Sequence, residues 1–353
     1  MTMHAGLRTI ATAPRISALA RSRELVEPAL RAAVESLHPE PRRMAAFSFG
    51  WCEADGTPSS GNGGKGVRQA LAVLAVEAVG APVEHAVPAA VAVELIHTFS
   101  LIHDDVMDGD ERRRHRDAVW KAFGTGPAVL AGDALFALGV RTLSEAGGEH
   151  GGRAVGLLAG TLGELVHGQA DDLLFETRPW TGPEAVGVAE YRDMAARKTG
   201  SLLGCAMALG PALASASPPV VGTFAEAGRL LGIAFQAVDD VLGIWGDPLV
   251  TGKPVHSDLR RGKKTLPVLA AMALDGAAAA RLARLLGSPG PLSAADAERA
   301  AVLVADAGGR EFALAEARRQ VAAARDRLGA VARVDGAVDE IAELCAYLLE
   351  RQV

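Results

Sequence analysis

Apolar residues recur at steps of three and four along almost all of this 353-residue chain, and no other feature constrains its fold as tightly. Residues 88–108 place Val91, Leu95, Ile96, Phe99 and Ile102 on one helical face. The same period predicts helices near 126–146, 152–175, 184–210, 219–244, 264–285, 293–307, 310–328 and 335–351. No sustained apolar/polar alternation is bounded by hairpin turns, so a sheet has little to build on. Aromatic residues make up only 4% of the chain, which leaves Ala, Leu and Val to fill the core. Gly/Pro/Ser clusters at 56–64, 147–152, 215–219 and 286–293 fall between the helical segments, and none is long or polar enough to be an interdomain linker. Length alone suggests about two domains. The unbroken helical pattern instead predicts one all-α domain over residues 21–353, behind a flexible N-terminus of residues 1–20.

Charge and cysteine usage remove several function classes. Lys and Arg number 36 against 42 Asp and Glu, a formal charge of −6, so the basic field that nucleic acid needs is missing. Cys52, Cys205 and Cys345 lie far apart, without a CxxC pair or a nearby Cys/His set, which argues against structural zinc and a disulfide scaffold. No run of 18 apolar residues escapes an interrupting charge, so no membrane span is expected. Arg8, Arg15, Arg21 and Arg23 give the first 23 residues a transit-peptide look, but the same Ala/Arg habit runs through the whole chain. The expectation is a cytoplasmic protein. Residues 286–353 are Ala-rich with regular Glu and Arg, and read as outer helices completing a bundle.

Two acid clusters carry the chemistry. The run from Ser100 to Asp108 (SLIHDDVMD) ends the first apolar helix, with Asp104 and Asp108 one turn apart on one face and Asp105 beside them. Three like charges at a helix C-terminus repel one another and oppose the macrodipole, a poor choice for a purely structural helix. A second apolar helix ends in FQAVDD, where Gln236 lies one turn before Asp239 and Asp240. Unpaired buried carboxylates cost several kcal/mol each, so such clusters call for cations between them. Oxygen ligands without His or Cys point to a hard ion, Mg²⁺ bridging to phosphate oxygens, and the spacing is not that of an EF-hand. Basic groups accompany the acids: Arg112 to Arg114, the glycine turn GGKGVR with Lys65 and Arg68, Lys198, and Lys253 through Lys263 and Lys264. Metal-holding acids beside separate cations describe a pocket for diphosphate esters. The glycine turn lacks GxxxxGK[ST], so an ATPase is not indicated.

These residues resemble the trans-isoprenyl diphosphate synthase (polyprenyl synthetase) family over about residues 60–270. LIHDDVMD with the arginines at 113–114 looks like the family's first aspartate-rich motif, and GGKGVR resembles its GGKxxR. FQAVDD with the downstream TGK and SDLRRGKKT resembles its second aspartate-rich region. GDALF at 132–136, GQADDL at 168–173 and KTG at 198–200 agree in order and spacing.

The resemblance implies a large helical bundle around a central cavity, usually a homodimer, with both acid clusters across its mouth. It implies three Mg²⁺ ions gripping an allylic diphosphate, two on Asp104 and Asp108 and one on Asp239, with Asp105 and Asp240 in support. Arg113, Lys198, Lys253 and Lys263 would contact that diphosphate, while Lys65, Arg68, His97 and Arg114 would hold isopentenyl diphosphate. Lys198, Thr199 and Gln236 would serve the ionisation step, the last two by facing the carbocation with oxygen dipoles. Phe99, with Ser100 beside it, occupies the family's chain-length position. An aromatic floor with no insertion between Asp104 and Asp108 looks like the pattern for a C20 geranylgeranyl product. A C15 farnesyl synthase, a class I terpene cyclase on the same fold and a non-catalytic subunit modulating a synthase are the alternatives. The chain departs from the family at Gly243, where a third aspartate is usual, and at Gln69, His115 and Asp117, which puts local turn geometry in question.

Overall fold

A Pro or a hydroxyl residue begins several helices and a left-handed Gly ends others, so local chemistry sets many of the boundaries. The computed structural model describes residues 13–59, 64, 66–146, 148–248, 252, 254–274, 276–288 and 290–350. The chain opens with α1 (Ala13–Glu35), α2 (Pro39–Ser48), α3 (Val67–Ala78) and α4 (Ala86–Asp108). Pro39 opens α2 behind His38, whose ring accepts from the Glu40 amide. Gly109, at φ 65°, turns the chain out of α4 after its last acid. A hairpin of β1 (Arg112–Arg113) and β2 (Arg116–Asp117) then leads into α5 (Val119–Phe123), α6 (Thr125–Ala146) and α7 (Gly151–Thr177).

The second half begins with α8 (Val188–Ala195), which runs through a π-helical turn, Ala196–Gly200, into α9 (Ser201–Leu213). After α10 (Pro218–Trp245) come α11 (Ser257–Arg261) and α12 (Leu266–Ala273). The chain then continues through α13 (Ala277–Leu286), α14 (Ala294–Asp306), α15 (Gly309–Gly329) and α16 (Asp335–Glu350). Ser217 precedes Pro218 at the start of α10, and the Ser293 hydroxyl caps α14 by accepting from the Asp296 amide at 3.1 Å.

Helix α9 is apolar on every side, and all of its residues are buried, as such a helix requires. It is walled by α3, α4, α7 and α10. Close approach of α9 and α10 depends on missing side chains. A Cβ on Gly228 would come within 2.4 Å of the Leu203 carbonyl, and one on Gly232 within 2.3 Å of the Gly200 Cα. Helix α4 buries Val91, Leu95, Ile96 and Ile102, as their spacing predicts, each contributing about 1.5–3 kcal/mol. Leu282, Ala300 and Val304 of α13 and α14 cluster with Ile244 of α10, so the C-terminal helices do complete the bundle.

The all-α expectation holds, with differences of detail. Helix α1 already begins at Ala13, ahead of the expected boundary at residue 21, and residues 1–12 lie outside the described residues. The segment 184–210 is broken by the π-turn, and 264–285 divides between α12 and α13. Strands of two residues are too short to leave an alternating signal. Val83–Asp108 and Thr125–Ala146 are long and apolar enough to cross a membrane by length and composition, with 56% and 39% of their apolar windows buried in the bundle.

Candidate active site

The polar ends of α4, α7, α10 and α11 meet at one end of the bundle. Asp104 and Asp108 project from the last turn of α4. Burial pushes the Asp104 carboxyl up to about 6, with Lys198 pulling it down and Asp108 pushing it up. Lys263, just beyond α11, reaches Asp108 at 3.5 Å and Glu176 of α7 at 3.9 Å. Burial works against the Lys263 charge, yet Asp108, Asp172, Asp258 and Glu176 together hold its ammonium above the ordinary lysine value. Lys198 is carried to Asp172 of α7, 2.5 Å away, by the π-turn, a distortion common at functional sites. Gly168 makes that approach possible, because a Cβ there would lie 2.3 Å from the Lys198 amide nitrogen.

The remaining acids divide by role. Asp239 is exposed at the end of α10, and its charge reaches Arg68. Asp240 is 4% exposed and is engaged by three donors: the Tyr191 hydroxyl, the Leu266 amide at 2.7 Å and Gln236 Nε2 at 3.0 Å. Burial still drives its carboxyl up to about 7 against those donors. Asp105 is 3% exposed and accepts Nε and Nη2 of Arg113 at 2.6–2.9 Å. Protein donors therefore occupy Asp105 and Asp240 in this structure, the two acids expected to support the metal ligands. Arg113, expected to contact diphosphate, is committed in this structure to Asp105.

A second, basic cluster lies against the middle of α4. Arg68 Nη1 donates to His97 Nε2 at 3.1 Å, since guanidinium can only donate. Burial, and then Arg68, Arg114 and Arg113, hold the His97 imidazole well below its ordinary value. The Arg114 guanidinium lies over Gly64, where a Cβ would come within 2.6 Å of it. The turn residues Arg114 and His115 both have positive φ, 51° and 66°, a conformation that suits glycine better. Lys65 and Lys253 lie outside the described residues.

At the expected chain-length position, the Phe99 ring meets His103 and Phe136 edge-on, with centroids 4.9 and 5.6 Å apart. The Ser100 hydroxyl is turned back onto the His97 carbonyl of its own helix at 2.9 Å. Thr199 Oγ1 donates to Gln236 Oε1 at 2.7 Å, so these two residues do come together. Reading the sequence alone missed Glu94, Tyr191 and Glu176, and it gave Asp172 and Asp258 no individual role although the motifs GQADDL and SDLRRGKKT contain them. Asp172 and Glu176 share a face of α7 at i, i+4, the same signal that exposed Asp104 and Asp108. Glu94 lies one turn before His97, and its charge reaches Arg68 and Arg114. Tyr191 carried no local signal at all.

The donor chemistry fits a hard cation, because several carboxylates crowd a partly desolvated mouth and Asp104 resists ionising there. Among the described residues, no three His, Cys, Asp or Glu side chains already form a closed metal cluster. An arrangement of separate acids suits an ion that takes its other oxygens from a ligand, as Mg²⁺ does on diphosphate.

Comparison with known proteins agrees with this geometry. Residues 52–304 match the family model described as Polyprenyl synthetase. The chain is 42% identical over 337 residues to a (2E,6E)-farnesyl diphosphate synthase of Mycobacterium tuberculosis, covering 95% of this chain and 92% of the relative. It is 44% identical over 307 residues to a geranylgeranyl diphosphate synthase of the same organism, covering 87% and 86%. A crystal structure of polyprenyl synthetase from Streptomyces coelicolor A3(2) superposes with a TM-score of 0.88 at 46% identity, covering 95% of this chain and 99% of that one.

Proposed function

The chain belongs to the polyprenyl synthetase family, whose activity is prenyl transfer, and on that premise we propose that it condenses isopentenyl diphosphate head-to-tail with allylic diphosphates to make the C20 product. The observation that carries the reading is the pairing of an acid-lined mouth with a separate arginine pocket on the same helix, α4. Asp104, Asp108 and Asp239 would hold Mg²⁺, three ions on the family's pattern. Mg²⁺ bound there supplies positive charge to the diphosphate as it leaves.

The chain's own residues do the rest. Lys198 and Lys263 bring ammonium groups to the same mouth, with Lys253 assigned there too, and they stabilise the departing charge. The Thr199 proton is committed to Gln236, and Gln236 Nε2 is committed to Asp240. Thr199 can therefore offer a substrate only lone pairs, the sign that stabilises an allylic cation. Arg68 and Arg114, with Lys65, hold isopentenyl diphosphate, and neutral His97 orients Arg68. The allylic C–O bond breaks with its electron pair on the diphosphate. The double bond of isopentenyl diphosphate then forms the new C–C bond, and the released diphosphate takes the proton. Arg113 serves this site through Asp105, which it clamps.

The Phe99 ring, buttressed by His103 and Phe136, supports a floor that stops elongation at C20. The farnesyl synthase relative favours a C15 product instead. Exposed Val129, Leu130 and Phe136 on α6 with Val166 on α7 support a homodimer, and a cytoplasmic location accords with substrates that are water-soluble diphosphates. Incubation with isopentenyl diphosphate, Mg²⁺ and each allylic primer, followed by mass analysis, should give C20. A stop at C15 overturns the chain length. Consumption of the allylic diphosphate without isopentenyl diphosphate points to a cyclase, and no turnover in either mixture overturns the enzyme reading.

A further inference from the structure

Helix α8 has only eight residues, too few to hold an orientation of its own, and its C-terminal end carries the π-turn of Lys198 and Thr199. Three consecutive residues tie it down, each to a different element. Glu190 Oε1 accepts Arg178 Nη1 at 2.8 Å just past α7, the Tyr191 hydroxyl donates to Asp240 of α10, and Arg192 reaches Glu316 of α15. Consecutive helical side chains diverge by about 100°, so the three ties fix how α8 is rotated about its axis.

Glu316 is the unexpected partner, a carboxylate only 2% exposed on a helix that otherwise completes the bundle. Arg192 Nη2 donates to its Oε2 at 2.9 Å, with Arg192 Nε 2.9 Å from Oε1, and Gln320 Nε2 donates to Oε1 at 2.9 Å. Arg319, one turn along α15, pairs with Oε2 as well. Burial works against the charge, yet Gln320, Arg192 and Arg319 together hold the Glu316 carboxyl below its ordinary value. Around this network, Ala313 and Ala317 of α15 pack with Tyr191 and Met194 of α8. A buried ion pair seldom stabilises a fold more than apolar packing of the same volume. What a guanidinium fork on a carboxylate adds is direction.

We propose that Glu316 is a positioning residue, acting through Arg192 to set the rotation of α8 and with it the placement of Lys198 and Thr199. The part those two residues play rests on the functional reading above. Arg192 and Lys198 lie six residues apart on one continuous helical path, about 9 Å of rise, so a turn of α8 passes directly to the π-turn. Arg319 and Gln320 satisfy the same carboxylate from within α15, and Arg192 alone of the three belongs to α8.

The test separates the two arginines that share one carboxylate. Arg192→Met cuts the link to α8 but leaves Glu316 paired with Arg319 and Gln320, whereas Arg319→Met keeps the link. Amide hydrogen exchange over Ala196–Gly200, without ligands, should quicken at least about 10-fold in Arg192→Met and stay at the wild-type rate in Arg319→Met. In condensation assays Arg192→Met should lose about 10–100-fold in kcat, the cost of displacing reacting groups by about 1 Å. Its KM for isopentenyl diphosphate should not change, because Arg68 and Arg114 lie on other elements. Arg192→Lys keeps the charge and should recover part of both losses, and it carries the same comparison if Arg192→Met does not fold. Unchanged exchange or unchanged kcat in Arg192→Met overturns the proposal. An equal loss in Arg319→Met does so too, since the cluster would then only stabilise the fold. A wild type without turnover overturns the functional reading and the positioning role with it, while exchange still reports whether Glu316 holds α8.

Discussion

His97→Gln tests whether the ring beside Arg68 is an acceptor or a cation. Arg68 Nη1 lies 3.1 Å from His97 Nε2, so that nitrogen must offer its lone pair and the proton must sit on Nδ1. Positive charges act on the ring from two neighbouring elements, Arg68 from α3 and Arg113 and Arg114 from the hairpin, while Glu94, one turn earlier on α4, acts on Arg68 and Arg114. Burial and the three arginines keep the ring neutral well below the usual 6.5. In the unfolded chain the same histidine titrates near 6.5. As pH falls through 6.5, the unfolded state therefore binds a proton that the folded state refuses, and stability drops.

One proton of difference is worth about 1.4 kcal/mol for each pH unit over which only the unfolded chain holds it. Glutamine can offer Oε1 to Arg68 without titrating, so the variant lacks this loss. Urea midpoints measured from pH 8 to pH 5 without metal should converge at the alkaline end and separate below 6.5, with the variant the more acid-resistant. The other titrating groups are common to both proteins and cancel in the difference. Parallel curves would refute the neutral-acceptor assignment. His97→Leu supplies the kinetic counterpart: it strands a buried Arg68 donor at a cost of about 1–3 kcal/mol, read as roughly 5–150-fold in KM for isopentenyl diphosphate.

Three further outcomes are expected. Asp104→Ala and Asp239→Ala should each cut Mg²⁺-dependent condensation by at least about 10²-fold while the fold, followed by circular dichroism, is kept; retained turnover removes the metal assignment. Phe99→Ala removes the ring proposed to stop elongation and should give products longer than the wild type's, so an unchanged mass distribution removes Phe99 from that role. His115→Gly should stabilise the protein by about 0.5–1 kcal/mol in urea unfolding, because it relieves a left-handed non-glycine residue in the turn, whereas a loss of stability contradicts the strain.

How much of this molecule could be read from sequence follows from how local each signal is. Helix α4 was legible because burial on one face imposes the 3.6 period, and Val91, Leu95, Ile96 and Ile102 are all buried as that period requires. The acid ends of α4 and α10 were legible because charge on an apolar helix is costly and so informative. The π-turn at Ala196–Gly200 was not, since it changes hydrogen-bond register without changing composition. Tyr191 was invisible, and the place of Asp258 unreadable, for another reason. Tyr191 matters only because α8 delivers its hydroxyl to Asp240, and Asp258 only because α11 delivers it onto Gly243. The sequence did show that position 243 was unusual, but the Asp258 carboxylate beside it lies 15 residues downstream and becomes its neighbour only in the fold.

The tandem arginines show how one short segment can serve both the acid mouth and the basic cluster. Arg113 and Arg114 are adjacent, yet they serve opposite sides: Arg113 clamps Asp105 beside the acid mouth, and Arg114 lies over Gly64 by the basic cluster. Consecutive side chains on a strand already point apart. The turn sharpens that divergence by placing Arg114 and His115 in left-handed backbone, between Arg113 and its strand partner Arg116. A wider loop could present both arginines to one site and leave the other short of charge. A Cβ built on Gly252 would lie 3.5 Å from the His115 amide nitrogen, so the tip of the hairpin lies close to that glycine as well. Its tightness, maintained at the cost of two strained residues, is what lets neighbouring positive charges part, one to Asp105 and one to Gly64, instead of repelling each other in one place.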